Sequence, residues 1–309
     1  MKPSLDLVVA LPLGPNTPID FVLDTLASIT CYIRRSRYKI IIADDTENPM
    51  YQREIKHHFP DVIFITNPRS LGLALGLYTS LCNAYCYALD HFDFPVLLRL
   101  DTDALIIGPD PELPIIEFFK NNPNVALAGV HVDRLHSSDD FGNPWINYGR
   151  AQYVAIAKLF TKFFLKHPFI YGRIRKILFK ALYQEYDLGE LVFGGANAWS
   201  RSGLEKLREH GLLPLKNVIG ADLEEDHFFT MLVGYVGMRF GDLSSGDLPF
   251  ALVWRGLPAS PETLHKANKK IIHSTRFWKD MKEAEIRKYF RDIRERAMVS
   301  NFVYKDSFN

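Results

Sequence analysis

The chain opens with short apolar runs that alternate with longer amphipathic stretches. Leu5–Leu11, closed by Pro12 and Gly14, predicts a buried first strand. Thr17-Pro18-Ile19-Asp20 combines a capping residue, a proline at the first helical position and an acid, and so predicts a helix reaching about Arg35. Tyr38–Ala43 predicts a second strand ending in Asp44-Asp45, followed by the turn Thr46-Glu47-Asn48-Pro49 and a short helix to about His58. Val62–Thr66 is a third strand. Its loop, Asn67 to Gly72, leads into a long helix to about Asp90, and Val96–Leu100 is the fourth strand. This strand and helix alternation predicts an open α/β sheet with right-handed crossovers.

Beyond Asp103 the pattern changes. A proline-rich stretch at Gly108–Pro114 precedes a helix near Ile115–Asn121 and the strand Val125–Val132, and Asp133–Asn147 is polar and turn-rich. Glu190–Phe193 and Ala196–Ser200 predict two strands around Gly194-Gly195, and Arg201–His210 a helix ended by Gly211. Asp222–Val233 predicts a helix opened by acids. Met238–Leu243, Phe250–Trp254 and Lys270–His273 read as strands, and Lys279–Ala297 as a charged amphipathic helix. There is no internal repeat and no low-complexity tract.

Composition narrows the class. With 309 residues, 47% hydrophobic and 24% charged, the chain can bury one large core or two modest ones. A formal net charge of +1 gives no global attraction to nucleic acid, so no such partner is expected. Cys31, Cys82 and Cys86 are odd in number and lack zinc spacing, which fits a reducing cytoplasm. The start is too short and too acidic for a signal peptide, and no apolar run is long enough to cross a membrane. The expected location is cytoplasmic, with peripheral contact at the membrane's cytoplasmic face left open by one segment. From Ala151 to Gln184, Lys158, Lys162, Lys166, Arg173, Arg175, Lys176 and Lys180 occur without an acid, among Phe160, Phe163, Phe164, Phe169, Tyr171, Phe179 and Tyr183. Three readings of 158–183 stand: a membrane or lipid-linked acceptor surface, aromatics packed inward with bases in water, or a lip for an anionic acceptor.

The candidate chemistry lies at strand ends and one helix start. Val96–Leu100 delivers Asp101-Thr102-Asp103 to the carboxyl end of a buried strand, where open α/β sheets bind ligands, and paired carboxylates suit a hard divalent cation. The other reading of such a turn is a solvated one whose acids bond the backbone. A second acidic strand end is Asp44-Asp45, and Glu224-Glu225-Asp226 opens a helix.

These features, in order, resemble the GT-A glycosyltransferases, most closely the inverting family 2 type. The motifs are Asp44-Asp45, Asp101-Thr102-Asp103, and Glu225-Asp226-His227-Phe228-Phe229 followed by Gly234-Tyr235-Val236-Gly237. Asn67–Gly72 and Phe193–Arg201 resemble the family's intervening blocks, and the likeness runs from about Leu5 to His273. It implies a Rossmann-like open mixed sheet, with a nucleotide-sugar half at 1–132, a basic aromatic insertion at 133–190 and an acceptor and catalytic half at 191–275. A helical extension at 276–309 follows this single domain of 1–275. It also implies that Asp45, with Asp44 beside it, holds the nucleotide base, that Asp101 faces the ribose or the metal's water shell, and that Asp103 holds Mn²⁺ or Mg²⁺. His273 is either a second metal ligand or a hydrogen-bonded strand-end histidine.

Asp226 is expected as the base, with Glu225 its unexcluded neighbour. Arg69 and Arg276 are candidates for the diphosphate. Gly194, Gly195, Trp199 and Trp254 are expected near the acceptor, the tryptophans either on sugar rings or in the packing. The implied activity is transfer of one sugar from a nucleotide sugar, UDP-linked, to a glycan or lipid-linked acceptor hydroxyl. Thr46-Glu47-Asn48 departs from the family's usual small-residue turn, and no Gln-x-x-Arg-Trp is present, which argues against a processive synthase. The rivals are a nucleotidyltransferase, whose glycine-rich basic loop Leu11–Asn16 lacks, and a silent module of the same fold.

Overall fold

The computed structural model describes residues 2–133, 138–144, 160, 167–188 and 190–306, with side chains as far as 297. The first half runs β1 (Leu7–Leu13), α1 (Ile19–Tyr32), β2 (Tyr38–Asp44), α2 (Pro49–His58), β3 (Ile63–Thr66), α3 (Leu75–His91) and β4 (Val96–Leu100). Next come β5 (Leu105–Ile106), α4 (Glu112–Asn121), β6 (Val125–Val132), α5 (Pro168–Tyr183), β7 (Leu191–Ser200), α6 (Arg201–Glu209) and α7 (Glu225–Tyr235). The chain closes with β8 (Arg239–Asp242), β9 (Phe250–Leu252), α8 (Pro261–Lys266), β10 (Ile271–His273), the hairpin β11 (Phe277–Trp278) and β12 (Met281–Lys282), and α9 (Glu283–Asp306).

Seven strands form one mixed sheet in the order β3-β2-β1-β4-β7-β6-β8, the open α/β arrangement expected. β1 pairs in parallel with both β2 and β4, whereas β7 runs antiparallel to β4 and β6. The chain moves outward from β1 to β2 and β3 and then returns to place β4 on the other side. The carboxyl ends of β1 and β4 therefore flank a topological switch point, where a crevice opens.

Alternation along each strand splits the core in two. Val8 and Ala10 of β1 face α3, α5, α6 and α7, while Leu7, Val9, Leu11 and Leu13 face α1, α2 and α4. A smaller sheet, β5-β10-β9, packs against α8 and α9 through Leu105, Ile272, Ile286 and Phe290. It matters because β10 delivers His273 beside the turn that leads into β5.

Three local expectations are corrected. Thr17 does not cap α1; Pro18 occupies the cap position, no side chain caps it, and the helix stops at Tyr32. Gly194-Gly195 does not separate two strands, because Leu191–Ser200 is one buried strand. Trp199 is fully buried, with ring centroids 5.1 Å from Phe229 and 6.1 Å from Tyr85, so it is core and touches no acceptor. α5 starts at Pro168, with the proline in its first turn. Residues 134–137 and 145–147 of the polar stretch, and Lys158, Lys162, Phe163, Phe164 and Lys166, lie outside the described residues.

The C-terminal helix is tied to the first one by charge. Asp24 of α1, almost fully buried, accepts from Arg287 at 3.2 Å and Arg294 at 2.7 Å, and Arg291 reaches it at 3.2 Å. Arg287 also bonds Glu283 at 2.8 Å and donates to the Thr102 carbonyl at 2.7 Å. Removing one partner of a buried pair strands the others without water. Asp24→Ala is therefore expected to lower the unfolding free energy by about 3–5 kcal/mol, read as an earlier urea midpoint at an unchanged slope. A loss below about 1 kcal/mol would mean that water already screens these charges.

Candidate active site

Asp101-Thr102-Asp103 is held from four directions. The Asp101 amide donates to the Gly195 carbonyl of β7 at 2.9 Å, and the Ala104 amide closes the turn onto the Asp101 carbonyl at 2.9 Å. The Asp103 carbonyl accepts from the Thr275 amide and hydroxyl at 2.8 and 2.9 Å. Thr25 of α1 joins Arg287 on the Thr102 carbonyl, at 3.0 Å. A turn so anchored presents its carboxylates in a fixed direction, which a solvated Asp-x-Asp does not.

Asp101, Asp103 and His273 each offer one ligand atom, all within 4.8 Å of one another. His273 Nε2 lies 3.3 Å from one Asp103 oxygen, and Arg276 Nε donates to the other at 2.7 Å. Burial alone would raise the Asp103 pKa, but His273 and then Arg276 outweigh it and hold this carboxyl well below the usual range. Burial disfavours the charged imidazole of His273, and Asp103 and then Asp101 outweigh that, so its pKa rises. Burial pushes Asp101 up, with Arg99 working against it. Gly195 makes room for the ring: a Cβ there would stand 2.2 Å from His273 Cε1.

The residue that sequence reasoning missed is Arg99. It is the polar position in β4, on the same face as Leu97 and Asp101, and is 1% exposed. Its guanidinium donates to both Asp101 oxygens, at 2.9 and 3.2 Å, and to Glu225 at 2.9 Å. Burial opposes its charge, and Asp101 and Glu225 more than compensate, raising its pKa. The available signal was strand parity, which puts residue 99 on a buried face where an arginine requires acids.

Two cavities meet at the turn. The first, about 460 Å³, lies over the ends of β1, β2 and β4 and is lined by Pro12–Thr17, Asp45, Ser70, Gly72, Asp101 and Asp103, with Arg276 at its edge. The second, about 550 Å³, shares Asp101, Asp103 and Arg276 and adds Gly194, Gly195, Glu225, Asp226, Trp254 and His273. Asp103 and Asp226 thus open on a common space, although 123 positions separate them in the chain. Trp254, 63% exposed, stands at this second cavity with the Arg255 guanidinium 4.6 Å from its ring.

The first acidic pair divides its work. Asp45 lines the first cavity, but Asn67, Ser70 and the amides of Leu71 and Gly72 fill its acceptor positions at 2.7–3.0 Å, so it also folds the 67–72 loop. Asp44 lies behind it, 2% exposed, bonding the Thr46 amide and hydroxyl and Gln52. Its expected contact with a nucleotide is corrected to support of the turn. Arg69 is exposed on the loop and lines neither cavity, whereas Arg276 lines both.

Glu225 and Asp226 also differ. Glu225 points inward to Arg99, and burial, aided by Asp226 and Asp101, pushes its carboxyl up to about 7, because Arg99 is shared with Asp101. Asp226 accepts from the His227 amide at 2.7 Å and lines the second cavity.

No protein-family model matches the chain, and no curated protein matches it. Solved structures that align with it include TarS 1–349 of S. aureus, with a TM-score of 0.42 at 11% identity over 88% of this chain and 61% of that one. WbbM, a bifunctional glycosyltransferase in its apo form, aligns at 0.46 and 12% over 91% and 49%. A glycosyltransferase involved in glycosylation of the major capsid of PBCV-1 aligns at 0.45 and 12% over 93% and 98%. The chain spans less than two thirds of the first two.

A raised carboxyl pKa favours folding below its unfolded value, and that stability is lost as pH rises through the folded value. For Glu225 the window runs from 4.5 to about 7. Glu225→Gln, which cannot ionise, should gain on the order of 1–3 kcal/mol over the unsubstituted protein between the two ends of that window. Urea unfolding across the range measures it; parallel stability curves would overturn the assignment.

Proposed function

We propose that this chain is a metal-dependent, inverting glycosyltransferase that moves one sugar from a nucleotide sugar, UDP-linked, to an acceptor hydroxyl. The observation that carries the reading is the turn Asp101–Asp103: it belongs to both cavities, with His273 beside it and Asp226 across the second one. Two carboxylates and an imidazole fit Mn²⁺ well and Mg²⁺ less well, and the missing Cβ at Gly195 leaves the imidazole its place. Asp103 and His273 would hold the ion, with Asp101 next to it. Once bound, it would supply Lewis-acid neutralisation of the diphosphate.

The residues divide the remaining work. The β1 loop and the Asp45-ordered 67–72 loop form the walls of the first cavity, which takes the nucleotide. Arg276, exposed and movable, offers its guanidinium to the diphosphate. Gly194, Gly195 and Trp254 shape the second cavity, which takes the acceptor. Asp226 removes the proton of the attacking hydroxyl as the bond to the sugar forms and the diphosphate departs. Glu225 is committed to Arg99; of the two carboxylates that remain at the helix start, Glu224 and Asp226, we assign this work to Asp226, and one displacement inverts the sugar carbon. The β1 loop lacks the basic residue that a nucleotidyltransferase requires.

The test is release of UDP from a UDP-sugar with and without Mn²⁺, paired with a thermal-shift screen of UDP, GDP, dTDP and CDP. Asp226→Asn should slow release by about 10²–10⁴-fold while keeping the nucleotide-and-metal thermal shift. Asp103→Ala should lose both. A protein that binds nucleotide but releases none from any sugar would be a binding module, and one indifferent to the metal would refute the role given to residues 103 and 273.

A further inference from the structure

We propose that the outward face of α5 is a docking surface for an anionic membrane. One side of this helix is committed to the core: Tyr171, Ile174, Ile177, Leu178 and Ala181 are buried. The other side turns large apolar groups to water. Phe169 is 92% exposed, Tyr183 86% and Phe179 58%, although aromatic groups of this size normally bury their area.

The spacing sets their arrangement. Phe169, Lys176, Lys180 and Tyr183 follow one another at intervals of seven, four and three, a single stripe along the helix. An aromatic ring stands at each end of the stripe, with lysines between. Arg173 stands beside it, donating to the Lys216 carbonyl at 2.8 Å, and Lys180 rests 4.1 Å from the Tyr235 ring. No acid occurs from residue 151 to 184.

This composition selects the partner. A second copy of the chain, joined face to face about a two-fold axis, would set this cationic stripe against itself. A protein core would take the aromatics but leave the lysines without counter-charge. A lipid bilayer with anionic headgroups takes both, since rings settle at the headgroup boundary and ammonium groups reach the phosphates. The docked helix would lie parallel to the surface. Its buried face carries the contact inward: the Tyr171 hydroxyl accepts from the Asp222 amide at 2.9 Å, four residues before Asp226.

Flotation of the full chain with phosphatidylcholine vesicles, with or without about 30% phosphatidylglycerol, tests the proposal. The protein should float with the anionic vesicles, and much less in about 0.5 M salt. Lys176→Gln with Lys180→Gln should weaken binding roughly 30-fold, each lysine contributing on the order of fivefold. Phe169→Ser alters a side chain that supports no core, so the fold is retained while binding drops about tenfold. Absence of flotation at low salt overturns the proposal. So does flotation indifferent to both variants, and so does a lysine-dependent dimer or oligonucleotide complex in a protein that ignores vesicles.

Discussion

A buried arginine with two acids is the constraint on which the rest of this site depends. Arg99 lies inside the sheet, so its charge persists only while Asp101 and Glu225 face it, and neither acid keeps its setting without Arg99. The pairing joins the end of β4 to the start of α7 across 126 residues of sequence. It also explains the glycines between them. A Cβ at Gly194 would come 2.6 Å from the Glu225 carboxylate and 3.5 Å from Arg99 Nη1, and one at Gly195 would strike His273. The strand stays bare where arginine, acid and imidazole converge.

Around that pair, positions are fixed through the backbone of the turn, which both backbone and side-chain groups bond. The backbone of the Asp101–Asp103 turn is tied to β7 and the segment after β10 by amide–carbonyl bonds, and its carbonyls also accept from the Thr25 and Thr275 hydroxyls and the Arg287 guanidinium. The stretch read from sequence as a helical extension supplies Arg287 to this bracing, so the last helix bears on the site without lining it. The small sheet has a comparable role, since β10 is registered between β5 and β9 and its last residue is His273.

Much of this was legible in the residues. Val96–Leu100 and Val125–Val132 match their predicted bounds because uninterrupted apolar runs between turn signals have one reading in a covered sheet. The acidic strand end, His273 and Asp226 do share a cavity, where the end of β4, the end of β10 and the start of α7 meet. What was not legible depends on the third dimension. Trp199 resembles a sugar platform until strand pairing places it under α3 and α7. Asp44 and Asp45 are indistinguishable until the strand's alternation sends one to the cavity and the other to its own turn. The roles of Arg99 and Arg287 stayed hidden, because a linear pattern does not name the acids that make burial of an arginine tolerable.

The contrast between Glu225 and Asp226 follows from the same geometry. Successive residues at a helix start point about 100° apart, so two adjacent acids enter different surroundings. One faces a desolvated interior whose single cation is already shared, and burial raises its pKa. The other faces an open cavity and keeps its backbone bond to His227. Asp101 and Asp103 also differ, two residues apart: burial pushes the first up, while His273 and Arg276 draw the second down. In the Asp44–Asp45 and Glu225–Asp226 pairs one member mainly secures the frame and the other opens on a cavity, whereas Asp101 does both, bonding Arg99 while lining both cavities.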